Sequence, residues 1–195
     1  MDKKEKQMPA EFRDKMSSLT QREKSYFSIM WAKSGVLYIT AKPGVAKSAI
    51  ARSIATKMGF RYMDLRLSMV DETDVGLYPS VSDVDGVKCL DFVVPRWAIE
   101  ANKQPTITHF EELNRASQQV RNAALQLLLE RQIGINFKFN DNVLMMSSGN
   151  LGDEDGADVE EFDSALNNRL ITTLIHLLLM SGLKASPKKT YTNLL

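Results

Sequence analysis

Cysteine and histidine are nearly absent from this chain of 195 residues, which contains one cysteine, Cys89, and two histidines. A single cysteine cannot form a disulfide within the chain, and such chains are typical of reducing compartments. The scarcity of both residues argues against a metal site built from thiolate and imidazole ligands. We therefore expect a cytoplasmic protein without a site of that kind.

The chain also lacks an excess of charge of one sign and a long apolar run. Its 25 basic and 24 acidic residues give a net charge of +1, which favours neither nucleic acid nor a membrane surface as a partner. The longest apolar patch, at residues 174–180, contains a histidine and is far too short to span a bilayer. A hydrophobic content of 44% and the chain length fit one α/β domain.

The most informative stretch joins an apolar, β-branched run at residues 36–40 to a helical pattern that begins near Lys47. This order of strand, turn and helix is typical of a P-loop, in which free backbone N–H groups converge on a phosphate. In that interpretation Lys47 reaches the β- and γ-phosphates, and the Ser48 hydroxyl binds Mg²⁺. The candidate nucleotide-binding residues are consecutive: Pro43, Gly44, Val45, Ala46, Lys47, Ser48 and Ala49.

Glycine is missing from two positions of the P-loop pattern G-x-x-x-x-G-K-[ST], where the chain has Ala41 and Ala46. Gly44 lies inside the loop instead. Alanine adds one methyl group, so the loop can form at Ala46 if the φ angle there stays negative. The motif alone leaves open an ordinary strand, turn and helix with a Lys-Ser pair at the helix start.

Strands and helices alternate along the chain, which predicts a parallel sheet with helices on both faces and ligands at the carboxyl ends of its strands. We expect strands at residues 36–40, 60–65, 106–110 and 143–146, and a hairpin at residues 133–139. We expect helices at residues 10–33 (one or two), 47–58, 97–102, 113–131 and 162–168. Residues 66–95 are expected to be mostly loop and residues 1–9 a mobile arm.

Two acids, Glu111 and Glu112, directly follow the predicted strand at residues 106–110. A nucleotide hydrolase needs one carboxylate for Mg²⁺ or its waters and a second one as general base. Taken alone, the two acids are explained equally well by the N-terminus of an ordinary helix, where the helix dipole favours negative charge. The upstream Lys47 favours the nucleotide site. His109, inside the strand, is expected to be a packed residue and not a catalyst.

Asn150 and Arg169 are the remaining candidates. The Asn150 amide, after the next strand, can orient the attacking water or contact the γ-phosphate, although asparagine is also a common turn residue. The Arg169 guanidinium can stabilise phosphoryl-transfer charge across a subunit boundary, or it is a surface arginine.

Together these segments resemble the AAA+ ATPase superfamily, and within it the MoxR-like branch. Residues 43–48 resemble its Walker A motif, where alanine before the lysine is common. Residues 111–116 resemble its Walker B motif and the segment that follows, and their Glu-Leu-Asn-Arg-Ala portion is the most specific match. Residues 147–150 and 162–169 resemble the strand ending in the sensor-1 asparagine and the segment ending in the arginine finger. The resemblance spans residues 35–169 and implies an α/β P-loop NTPase fold.

The resemblance further implies that ATP and Mg²⁺ bind between subunits of a homo-oligomeric ring, usually a hexamer. Hydrolysis would drive remodelling or assembly of protein partners, often ones with von Willebrand A domains. The roles it implies are Lys47 and Ser48 on phosphates and Mg²⁺, Glu111 on the metal shell, Glu112 as base, Asn150 as sensor and Arg169 acting in trans.

Three departures keep other functions open. Ala41 replaces a Walker A glycine, Glu111 replaces the usual aspartate, and the helical lid of the family is not evident in residues 177–195. One extra methylene shifts a carboxylate on the ~1 Å scale that matters at such sites. The alternatives are a low-turnover nucleotide-binding scaffold subunit and a DNA-directed AAA+ motor subunit; no basic stripe supports the latter. We expect an N-terminal arm and helices at residues 1–33, the nucleotide-binding core at 34–176, and an atypical tail at 177–195.

Overall fold

In the computed structural model, residues 8–33, 35–42, 44, 46–151 and 170–174 are described. The α-helices among them are α1 (Ala10–Lys15), α2 (Gln21–Ala32), α3 (Lys47–Met58), α4 (Arg96–Asn102) and α5 (Gln118–Glu130). The strands are β1 (Val36–Ala41), β2 (Arg61–Arg66), β3 (Tyr78–Val84), β4 (Val87–Val93), β5 (Thr106–Glu111), β6 (Gln132–Ile133), β7 (Phe137–Lys138), β8 (Val143–Asn150) and β9 (Leu170–Leu174). No helix in this part of the chain has both the length and the apolar character that a membrane crossing requires.

A five-stranded parallel sheet in the order β2-β5-β8-β1-β9 forms the centre of the molecule. The residues of β5 and β8 are buried along the whole of both strands. Burial on both faces is what the helix-covered strands of parallel sheets require. The predicted α/β architecture and its four main strands are confirmed, and β8 continues four residues beyond the predicted end, to Asn150.

Helices cover both faces of the sheet. On one face, α4 and α5 pack against β5 around Phe110 and Leu113. On the other, α1, α2 and α3 pack around Phe27, Ile39 and Ile54, which are fully buried. Burial of each such side chain contributes about 1.5–3 kcal/mol. The helices on both faces therefore support the strand ends that form the candidate site.

Glu23 ties α2 to α3, the helix that begins at Lys47. Thr20 and Glu23 form a capping box, in which the Glu23 N–H donates to Thr20 Oγ1 and the Thr20 N–H donates to Glu23 Oε2. The Glu23 carboxylate also accepts hydrogen bonds from Ser53 Oγ (2.6 Å) and Lys57 Nζ (2.8 Å) of α3. Burial by itself raises the pKa of Glu23, but the bonds from Lys57, Ser53 and Thr20 outweigh it and lower the pKa to about 2.

We expect Glu23→Gln to lower the free energy of unfolding by about 3 kcal/mol at pH 7, because the pKa falls from 4.5 to about 2 on folding. A lowered pKa stabilises above pH 4.5, and this contribution disappears as the pH falls towards 2. The difference between wild type and variant should therefore shrink by about half at pH 3. Urea unfolding at both pH values measures it, with exposed Glu11→Gln as the control. A difference that does not depend on pH would contradict the interpretation.

The prediction that residues 66–95 are mostly loop is wrong. They contain an antiparallel hairpin in which β3 pairs with β4 from Tyr78 and Val93 to Val84 and Val87. Its two-residue turn, Asp85 and Gly86, has φ angles of 53° and 79°. Asp-Gly is a strong hairpin signal because both turn positions need positive φ. Pro79 is tolerated because β3 pairs on one side only among the described strands.

Two other boundaries differ from expectation. The helix predicted from residue 113 begins only at Gln118, where the Ser117 hydroxyl accepts from the Val120 N–H, and Leu113–Arg115 forms a separate 3₁₀ turn. The prediction of a mobile arm is wrong for Met8, which is buried against the α1–α3 layer. The structure confirms the helices predicted at residues 10–33, 47–58 and 97–102 and the hairpin predicted at residues 133–139. Three predictions lie outside the described residues: the helix at residues 162–168, Arg169, and the missing lid at residues 177–195.

Candidate functional site

The ends of β1, β2, β5 and β8 meet at one edge of the sheet. A cavity of about 360 Å³ lies there, lined by the loop after β1, the start of α3 and the ends of β2, β5 and β8. The parallel register places Ala41 beside Asn150, and Glu111 is the last residue of β5. Five of the seven predicted nucleotide-binding residues line the cavity: Gly44, Ala46, Lys47, Ser48 and Ala49. So do Glu111, Glu112 and Asn150. Pro43, Val45 and Arg169 lie outside the described residues.

Lys47 is the first residue of α3, and its side chain reaches back over the end of the sheet. Its Nζ donates to the Asn150 side-chain oxygen at 3.0 Å and to the Ala41 carbonyl at 3.2 Å. No side chain of the described residues caps the start of α3, and the first backbone N–H groups of a helix have no partner within it. Lys47 and this helix start therefore present positive charge and N–H donors to the same space.

The loop before Lys47 uses glycine where the backbone requires it. Gly44 has a φ of +76°, in the region that favours glycine, and among the described residues outside its own chain neighbours no atom lies within 4 Å of where a Cβ would stand. Ala46 has a φ of −1°, which lies in neither the left-handed region nor the negative-φ regions that alanine favours, so the structure does not bear out the expected negative φ. Ala41 is a buried strand residue whose carbonyl holds Lys47.

Ser48 and Glu111 bring two oxygen-bearing side chains together beside Lys47. The Ser48 hydroxyl donates a hydrogen bond to Glu111 Oε1. Glu111 Oε2 lies 3.7 Å from Arg66 Nη2, and Oε1 lies 3.6 Å from His109 Nδ1. Proteins usually hold Mg²⁺ with one or two oxygen side chains plus water and substrate phosphates. The glutamate carboxylate, although one methylene longer than aspartate, is in direct contact with the hydroxyl that would share a cation with it.

Glu112 engages a different part of the chain. It has a φ of +59°, a left-handed conformation that is uncommon for a residue with a side chain. Its Oε2 accepts a hydrogen bond from the Ser68 hydroxyl, in the turn after β2. The two adjacent acids therefore have separate partners, as two separate chemical roles require.

Asn114 is a site residue that sequence reasoning noted only as part of a resembling segment. Its Nδ2 donates to the Asn150 carbonyl at 2.8 Å, and its Oδ1 accepts from the Asn150 N–H at 3.1 Å. Both asparagines are buried. The neighbouring Gly149 is needed for this approach, since a Cβ there would lie 1.9 Å from the Tyr38 hydroxyl and 2.5 Å from Asn114 Oδ1. Asn114 thus fixes the backbone that carries the Asn150 amide.

His109 is a packed residue, as expected from the sequence. It is fully buried, and burial lowers its pKa to about 4, so the imidazole is neutral at pH 7. Its Nε2 lies 2.9 Å from Ser148 Oγ, and its Nδ1 lies 3.0 Å from the Tyr62 hydroxyl. These contacts join β2, β5 and β8 directly beneath Glu111.

A parallel sheet whose first strand leads through a phosphate-type loop to a lysine at the start of the next helix defines the P-loop NTPase fold, and this chain has that fold. A similar crystal structure is that of a proposed ATPase from Cytophaga hutchinsonii, with a TM-score of 0.58 and 15% sequence identity. The similarity covers 87% of this chain and 51% of that one, so the chain spans about half the length of that protein.

Sequence comparison adds no family assignment, because no protein-family model and no curated protein matches the chain. In all, 469 chains of known structure are similar to it. Because proteins with one fold can catalyse different reactions, the fold alone does not identify the function, which depends on the residues of the site.

Proposed function

We propose that this protein binds ATP together with Mg²⁺ in the cavity at the ends of β1, β5 and β8, and hydrolyses it. The observation that carries the proposal is the placement of Lys47, Ser48 and Glu111 around one space at the start of α3. A lysine, a hydroxyl and a carboxylate in this order are what triphosphate and Mg²⁺ recognition requires.

The residues present fit such a ligand. The cavity is within the range of small-molecule sites. Lys47 and the N–H groups at the start of α3 would hold phosphate oxygens, and Ser48 and Glu111 would hold Mg²⁺ and its waters. When bound, Mg²⁺ neutralises part of the charge that develops on the phosphates.

Glu112 and Asn150 complete the proposed chemistry. The Glu112 carboxylate would take the proton of the attacking water as general base, after exchanging its contact with Ser68. The Asn150 amide, set by Asn114 and in contact with Lys47, would orient that water or the terminal phosphate. The direct contact between Ser48 and Glu111 supports a shared Mg²⁺ site, which an active ATPase and a low-turnover scaffold would both use.

We further propose that hydrolysis serves the remodelling or assembly of protein partners within a MoxR-like AAA+ ring. The support for this finer assignment is the motif resemblance at residues 43–48, 111–116, 147–150 and 162–169. It gives Arg169 its role, which is to complete the site of a neighbouring subunit. Partners with von Willebrand A domains are the clients that the resemblance suggests.

Phosphate release measured against protein concentration tests the shared site. If Arg169 of one subunit completes the site of the next, the activity per chain should rise steeply as chains assemble, because an arginine supplied in trans is worth about 10³-fold or more in turnover. Arg169→Ala should remove the rise without changing ATP binding. An activity per chain that is constant across the assembly range would contradict the ring but not the ATPase.

A further inference from the structure

Arg66, the last residue of β2, lies at the candidate site although no sequence motif assigns it a role. It is the register partner of Glu111, and its Nη2 lies 3.7 Å from Glu111 Oε2. Its side chain is 54% exposed and lines the same cavity as Lys47. Two residues further on, Ser68 holds Glu112. The end of β2 and the turn after it therefore contact both acids of the site, Arg66 at Glu111 and Ser68 at Glu112.

The charges around the cavity favour a further cation there. Lys47 and the proposed Mg²⁺ face two carboxylates, Glu111 and Glu112, as well as the negative charges of a triphosphate. Arg66 and Arg115 also line the cavity and turn its balance positive. Of these two, Arg66 is the one in contact with a carboxylate of the site.

The position and the exposure of Arg66 suit an exchange of partners. An ion pair with a half-exposed arginine is weak, so the guanidinium can leave Glu111 at little cost. A guanidinium matches the oxygens of a phosphate with two parallel hydrogen bonds. Glu112, as general base, must act at the phosphate that is cleaved. A cation in contact with the adjacent Glu111 therefore lies near that end of the nucleotide.

We propose that Arg66 is a further nucleotide-binding residue, whose guanidinium leaves Glu111 and contacts the terminal phosphate of ATP. The inference rests on the proposed ATP site and adds to it a cation supplied within the same chain. It predicts that Arg66 distinguishes ATP from ADP, whereas Lys47 serves both nucleotides.

The test compares the affinities of Arg66→Ala and wild type for a non-hydrolysable ATP analogue and for ADP, each with Mg²⁺, by calorimetry. We expect the variant to bind the ATP analogue about 10-fold or more weakly, as loss of a charge-assisted contact implies, and ADP within about 2-fold of wild type. Arg66→Gln, which keeps the polar side chain, should behave in the same way and decides the question if the alanine variant does not fold. Arg61→Ala is the matched control, because Arg61 lies at the other end of β2 and pairs with Glu100.

The outcomes separate the two proposals. A selective loss of the ATP analogue in the Arg66 variants, with Arg61→Ala unchanged, supports the role of Arg66. Equal loss of both nucleotides, or no loss, overturns it while the ATP site stands. A wild-type protein that binds neither nucleotide overturns the proposed function, and the role of Arg66 with it.

Discussion

Lys47→Ala is expected to weaken binding of Mg²⁺-ATP by about 100-fold or more, which removes it at ordinary protein concentrations. The ammonium of Lys47 lies between the ends of β1 and β8, within 3.0–3.2 Å of two oxygens, and is the proposed phosphate ligand at the start of α3. Each hydrogen bond from a charged group contributes about 1.5–3 kcal/mol, and a triphosphate would accept at least two from this group. Calorimetric titration measures the affinity directly.

Lys88→Ala is the control for Lys47→Ala. Lys88 lies on β4, in the hairpin, and removing it changes the net charge by the same amount. We expect it to leave the affinity unchanged. Equal affinities for wild type and Lys47→Ala would mean that the nucleotide binds elsewhere.

Glu112→Gln is expected to keep Mg²⁺-ATP binding and to lower turnover by about 10²–10⁴-fold. Glutamine has the size of glutamate and can keep the contact with Ser68, so the loop should retain its shape. What the substitution removes is the basic oxygen that would accept the proton of the attacking water. Single-turnover phosphate release with saturating ATP separates the chemical step from binding.

Glu72→Gln, on an acid outside the cavity, is the matched control for Glu112→Gln and should not change the rate. A Glu112→Gln variant that hydrolyses ATP at the wild-type rate would remove Glu112 as the base. Loss of binding in the same variant would instead assign Glu112 to the nucleotide or the metal.

The sheet could be predicted from the sequence because its strands carry their own signal. The runs that became β1, β5 and β8 are apolar or β-branched and buried on both faces, and each is followed by polar residues at the strand end. That placement brought Lys47, Glu111 and Asn150 to one edge, as the carboxyl-end rule for parallel sheets requires.

The hairpin at β3 and β4 does not follow from the sequence pattern, because the glycines and prolines of this stretch indicate loop when they are considered one by one. Asp85-Gly86 is a hairpin turn, and Pro79 lies on a strand that pairs on one side among the described residues. The start of α5 also differs from the sequence-based boundary. The apolar helical period continues back to Leu113, but Asn114 is bonded to Asn150 and the helix is capped at Ser117, so α5 begins only after that cap.

The partners of the site residues could not be predicted from the sequence at all. The contacts of Ser68 with Glu112, Arg66 with Glu111 and Asn114 with Asn150 join residues 36–45 positions apart. They depend on the sheet order, which places β2 beside β5 and β5 beside β8. An Asp-Gly turn or a helix cap is encoded by a few neighbouring residues, whereas a contact between residues far apart in the sequence forms only when the whole sheet has assembled.

The most direct test of the central claim is a crystal structure of the wild-type protein with Mg²⁺ and a non-hydrolysable ATP analogue. We predict phosphate oxygens within hydrogen-bonding distance of Lys47 Nζ, and Mg²⁺ close to both Ser48 and Glu111, whose direct contact it would replace. A nucleotide bound away from the start of α3, or none at saturating concentration, would contradict the account.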